Sequence, residues 1–141
     1  TKVLSYRFKK VYTVNVSDES LANAKMLNVG IDNIEYVPFD LYSNKSLNIQ
    51  DASVFMIDAG HKYKQVVSDI DRCLSMITGD RCYIIFDDYG FNTQNDVKRA
   101  VDEYISSNKI KIVKKIGHQK GYDFGDKYLK HSEGLICEVV K

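Results

Sequence analysis

The amino-acid sequence predicts an α/β domain, with a mostly parallel sheet, helices on both faces and a C-terminal antiparallel strand pair. Three observations carry this. Strand-like and helix-like segments alternate along the chain. A central strand-like run, Ser53 to Ile57, is nearly uninterrupted apolar sequence, as expected of a parallel strand buried on both faces. Two further strand-like runs close the chain, joined by a glycine-containing loop.

Val11 to Val16 is β-branched and aromatic and ends at Ser17-Asp18-Glu19, where a serine cap and two acids suit the positive end of a new helix. That helix carries Leu21, Ala24 and Leu27 at helical spacing and is expected to stop near Gly30. Ile34 to Pro38 is the second strand and leads to Phe39-Asp40-Leu41; Ser53 to Ile57 is the third and ends in Asp58. A helix from about Tyr63 to Ile77 turns Val66, Ile70, Cys73, Leu74 and Ile77 inward, with Gly79 just past its end. Arg81 to Phe86 is the fourth strand and ends in Asp87-Asp88. A helix from about Asn95 to Ser106 buries Val97, Ala100, Val101, Tyr104 and Ile105, and Lys109 to Ile116 and Leu135 to Val140 make the closing pair. The loop between them holds His118, Tyr122, Asp123 and Asp126.

Composition narrows the class. The 141 residues suit one domain, and 44% apolar and 28% charged residues with one proline exclude disordered, collagenous and disulfide-rich chains. Twenty basic against nineteen acidic residues leave a net charge of +1, which provides no global field toward nucleic acid or anionic lipid. The apolar runs are far shorter than the roughly 20 residues of a membrane span, and the first residues lack the layout of a signal peptide. Cys73, Cys82 and Cys137 are odd in number, widely spaced and set in apolar surroundings, so they read as reduced core residues of a cytoplasmic protein.

In open parallel sheets ligands bind beyond the carboxyl ends of the strands, which directs attention to Asn15, Asp40, Asp58, Asp87 and Asp88. A single helical crossover would place the strands ending in Asp58 and Asp87-Asp88 side by side. Three converging carboxylates call for a cation or a proton, and hard oxygen ligands favour magnesium, manganese or calcium. The competing reading has each aspartate capping the segment that follows it. His61, three residues beyond Asp58, has the intrinsic pKa of a general base; the alternative is a surface or capping histidine. Asn15 and Asp40 are candidates for ribose and adenine contacts, with ordinary turn chemistry as the rival. Tyr89, Phe91, Tyr122 and Phe124 are candidates for lining a pocket or for local packing. The lysines at 109, 111, 114, 115 and 120 fit a phosphate stripe less well than the protection of an edge strand, so nucleic acid is not the expected partner.

The stretch from Val54 through Asp58-Ala-Gly-His61-Lys-Tyr63, then Val66-Val-Ser-Asp-Ile70, then Ile84-Ile-Phe-Asp87-Asp88-Tyr89-Gly90, resembles the class I methyltransferases that use S-adenosylmethionine. It is most similar to the branch of metal-dependent sugar and macrolide O-methyltransferases, and the order of elements matches over the whole chain. The resemblance implies a Rossmann-like fold, S-adenosylmethionine as cofactor and a magnesium or other hard divalent cation. Asp58, Asp87 and Asp88 would be the metal ligands and His61, beside Asp58, the base acting on a small-molecule or sugar hydroxyl. Asn15 would lie by the ribose and Asp40 with Leu41 by the adenine, Asp58 also facing the cofactor. Relatives with hydroxylase activity share the resemblance, so it leaves the reaction open.

Two features depart from that pattern. The family's first strand and glycine-rich loop have no counterpart in these residues, and Thr1-Lys2-Val3-Leu4 is similar to the helix just downstream of that loop. The usual acid after the next strand is Asn15. The expectation is a single domain, N-terminally incomplete. Without the central strand, the strands ending in Asn15 and Asp58 would leave a gap, pair directly, or be joined by a partner copy of the chain.

Overall fold

The structure is a computed structural model and describes residues 1–43, 45–90, 95–117 and 133–141. They form two compact units, Thr1–Leu47 and Asn48–Lys141. The expected pocket-lining residues Phe91, Tyr122 and Phe124, along with Lys120, His118, Asp123 and Asp126, lie outside the described residues.

The first unit runs α1 (Lys2–Ser5), β1 (Val11–Asn15), α2 (Asp18–Leu27) and β2 (Ile34–Pro38). β1 and β2 pair in parallel from Val11↔Ile34 to Asn15↔Pro38, as a βαβ unit requires. The Ser17 side chain caps α2 by accepting from the Ser20 N–H at 3.1 Å, and Asp18 and Glu19 occupy the first turn. The turn after α2 uses Gly30 at a φ of 83°, a conformation glycine adopts without steric cost. Of the apolar residues at helical spacing, Leu21 is buried, whereas Leu27, the last residue of the helix, is 79% exposed. Asn33 donates from Nδ2 to the carbonyls of Ser5 and Phe8 at 2.8 and 2.9 Å, fixing the approach to β2.

The second unit runs β3 (Val54–Ile57), α3 (Tyr63–Ser75), β4 (Tyr83–Phe86), α4 (Asn95–Ser106), β5 (Ile110–Ile116) and β6 (Gly134–Val139). Its four strands lie in the order β3-β4-β6-β5; β3 and β4 are parallel, and β6 is antiparallel to both β4 and β5. The closing antiparallel pair is as predicted. α3 and α4 pack on one another and on the face bearing Ile84, Phe86, Leu135 and Cys137, with Val66, Ile70, Val97, Ala100 and Val101 completing the core. Burying such side chains stabilises by about 1.5–3 kcal/mol each. Phe55 and Ile57 join this core. β3 is nevertheless not buried on both faces, as its apolar sequence suggested: Met56, on the opposite side, is 54% exposed.

Gly134 is required where β6 begins, because a Cβ there would come within 2.8 Å of both the Phe86 carbonyl and Ile116. β5 is an edge strand whose lysines at 111, 114 and 115 are exposed and whose pairing is interrupted between Ile112 and Lys114, a pattern that discourages further strands. The described strands form two sheets, one in each unit. The three cysteines are buried and free, and burial pushes the Cys73 thiol up to about 12 and that of Cys137 to about 11. No helix among the described residues is long and apolar enough to cross a membrane.

Candidate active site at the carboxyl ends of the strands

The parallel register Val54↔Tyr83 to Ile57↔Phe86 brings Asp58 and Asp87 to the same level past the sheet. The ladder extends one step further, since the Asp87 N–H donates to the Ile57 carbonyl at 3.1 Å. Asp88 then adopts a φ of 55°, a left-handed conformation that aspartate tolerates better than most residues and that recurs at functional sites. Its own N–H donates to Asp87 Oδ1 at 3.0 Å. This tight turn directs Asp88 toward the loop after β3, where His61 Nε2 lies 2.9 Å from Asp88 Oδ2.

Asp58, His61 and Asp88 each offer one donor atom, and the three atoms lie within 4.8 Å of one another. They line a shallow depression, open to solvent, together with Ile57, Val66, Phe86, Val97 and Asp87. Burial pushes the Asp88 carboxyl up from its ordinary range; the carboxylates of Asp87 and Asp58 add to the rise, and His61 opposes it.

Of the residues expected here, the structure brings Asp58, His61 and Asp88 together. Asp87 lines the same depression, but it stands outside the close trio and spends one oxygen on the Asp88 N–H. In the first unit, Asn15 and Asp40 follow the parallel strands β1 and β2, and each makes a local turn. Asn15 Oδ1 accepts from the Ser17 N–H at 2.8 Å, Asp40 Oδ1 accepts from the Tyr42 N–H at 2.9 Å, and Leu41 lies within the second turn. Their roles beside a ribose and an adenine remain expectations.

Sequence reasoning did not foresee the direct pairing of His61 with Asp88, or the ties that hold their loops. The Tyr63 N–H at the start of α3 donates to Asp96 Oδ2 at 3.2 Å, and the Tyr89 hydroxyl donates to Asp102 Oδ1 at 2.6 Å. The sequence signal that points to them is the i,i+4 spacing of Lys98 and Asp102.

No protein-family model matches the chain, and neither does any curated protein. Solved structures do. An rRNA methylase from Streptococcus thermophilus is 17% identical, with a TM-score of 0.62 over 98% of this chain and 78% of its own. The N-methyltransferase NodS from Bradyrhizobium japonicum, in complex with S-adenosyl-L-homocysteine, is 11% identical, with a TM-score of 0.74 over 99% of this chain and 71% of its own. A SAM-dependent methyltransferase from Leishmania major is 10% identical, with a TM-score of 0.63 over 99% of this chain and 58% of its own. The likeness is one of fold: the chain has the Rossmann-like architecture of S-adenosylmethionine-dependent methyltransferases.

Proposed function

We propose that this chain is a methyltransferase domain that uses S-adenosylmethionine to methylate a hydroxyl of a small molecule or sugar, with the help of a divalent cation. The observation that carries the reading is the convergence of Asp58, His61 and Asp88 at the end of the parallel pair β3–β4, in a fold of methyltransferase type. A cation suits this donor set, because two ligands at about 2.1–2.4 Å from one ion lie at most about 4.2–4.8 Å apart. Asp58 and Asp88 would hold it, with Asp87 as the third ligand, and magnesium or manganese suits the oxygen-rich set. When bound, such a cation supplies positive charge that lowers the pKa of a nearby hydroxyl.

In this reading His61 donates from Nε2 to Asp88, which fixes the ring and leaves Nδ1 to take the acceptor's proton. The hydroxyl oxygen bonds to the methyl carbon as the carbon–sulfur bond breaks; the proton passes to His61 and the sulfonium becomes a neutral thioether. Asn15 by the ribose and Asp40 with Leu41 by the adenine belong to the same proposal. The test is calorimetric titration of the folded chain with S-adenosylmethionine and, separately, with Mn2+. Near-stoichiometric binding of both, with Mn2+ binding weakened in Asp58→Asn, is the expected result; a folded chain that binds neither would overturn the reading.

A second reading is favoured by the low identity, 10% to 17%, of the solved structures that share the fold, because a fold can be kept while its chemistry is not. It is a non-catalytic Rossmann-like α/β module that serves binding or assembly. It predicts that S-adenosylmethionine does not bind while the chain remains folded.

A further inference from the structure

His61 and Asp88 come from separate loops, and their side chains are 41% and 26% exposed. A partly exposed ion pair contributes only about 0–1 kcal/mol, too little to hold two loops in register by itself. Each loop, however, passes directly into a tyrosine that is seated on helix α4. Tyr63 lies two residues beyond His61. Its N–H donates to Asp96 at 3.2 Å, its hydroxyl donates to Glu103, and the Arg99 guanidinium lies 3.9 Å from the centre of its ring. Asp96, Arg99 and Glu103 share one face of α4, at i, i+3 and i+7. Tyr89 immediately follows Asp88. Its hydroxyl donates to Asp102 at 2.6 Å, while Lys98, paired with Asp102, lies 5.0 Å from the centre of its ring.

Helix α4 is a firm base for both tyrosines, since Val97, Ala100, Val101 and Tyr104 are at most 5% exposed. We propose that Tyr63 and Tyr89 are positioning residues, a pair of anchors on α4 that fix the separation of His61 and Asp88. The use of that separation rests on the acid–base role proposed above; the anchoring itself needs neither metal nor cofactor.

The test uses the full chain and 15N imidazole spectra at one fixed pH, with His61 assigned by His61→Gln and the signal of the broken pair taken from Asp88→Asn. Tyr89→Phe keeps the ring, and Asp102→Ala alters a side chain that is 43% exposed, so both variants are expected to fold, as circular dichroism checks. Each should move the His61 Nε2 resonance toward that of Asp88→Asn, and Asp102→Asn, which keeps a carbonyl acceptor, should restore most of the difference. Tyr63→Phe should have a smaller effect, because its N–H still reaches Asp96. Mn2+ affinity of Asp102→Ala should fall about tenfold, as for other groups that orient ligands. Spectra of Tyr89→Phe and Asp102→Ala that superimpose on the wild type would overturn the anchoring, as would an Asp88→Asn spectrum that does not differ from it. A wild-type chain that binds no Mn2+ but whose His61 resonances respond as described would overturn the metal reading and leave the anchoring standing.

Discussion

The same kind of residue follows the parallel strands in both units, with opposite outcomes. After β1 and β2, Asn15 and Asp40 turn back to a backbone N–H two residues on and make local turns. After β3 and β4, His61 and Asp88 meet across 27 positions of sequence, with Asp58 beside them. In the first case the polar side chain serves the chain next to it. In the second, the left-handed turn at Asp88 and the tyrosine seats on α4 spend backbone freedom to aim side chains at a common point. An Asx turn supports itself, whereas a convergent cluster of acids depends on surrounding structure and gains from a cation or proton.

The contrast can be broken most sharply by metal titration. Asp58→Asn and Asp88→Asn are expected to weaken Mn2+ binding by about tenfold or more, while Asn15→Ala and Asp40→Ala leave it within a factor of two. Equal losses in both groups, read by calorimetry, would erase the distinction. Next in size is backbone strain. Asp88→Ala places a Cβ without a polar side chain at a φ of 55° and should destabilise the metal-free chain by about 1–2 kcal/mol more than Asp88→Asn in urea unfolding, because asparagine tolerates that conformation. In the first unit, Ser17→Ala removes the cap of α2 and should cost about 1 kcal/mol in the same measurement, with no effect on Mn2+.

The smallest effect is on pH. A carboxyl raised above its ordinary range holds a proton in the folded chain that the unfolded chain gives up. The contribution of Asp88 to stability is therefore present at low pH and is lost as pH rises from the ordinary carboxylate range through its folded value. Metal-free wild type should lose stability relative to Asp88→Asn over that window, and added Mn2+ should reverse the loss. A difference that grows in the other direction would show that His61 outweighs burial and the neighbouring carboxylates.

Much of this protein was legible in its sequence because the relevant physics is local. The helix from Asn95 to Ser106 and the strand from Ile34 to Pro38 fall where periodicity and composition place them, and Ser17 caps the helix that its position suggested. The buried thiols, the α/β class and the crowding of polar residues beyond β3 and β4 follow from the same short-range patterns. Tertiary structure alone decided which of those polar residues meet. An apolar run reads alike whether one or both of its faces are covered, so the exposure of Met56 was not visible. Aspartate after a strand reads alike whether it bonds its neighbour or a loop 27 residues away. The choice between Asp87 and His61 as companion to Asp58 and Asp88 was made by a backbone dihedral and by two tyrosines resting on a distant helix, because side-chain direction depends on the packing of elements that sequence spacing does not encode.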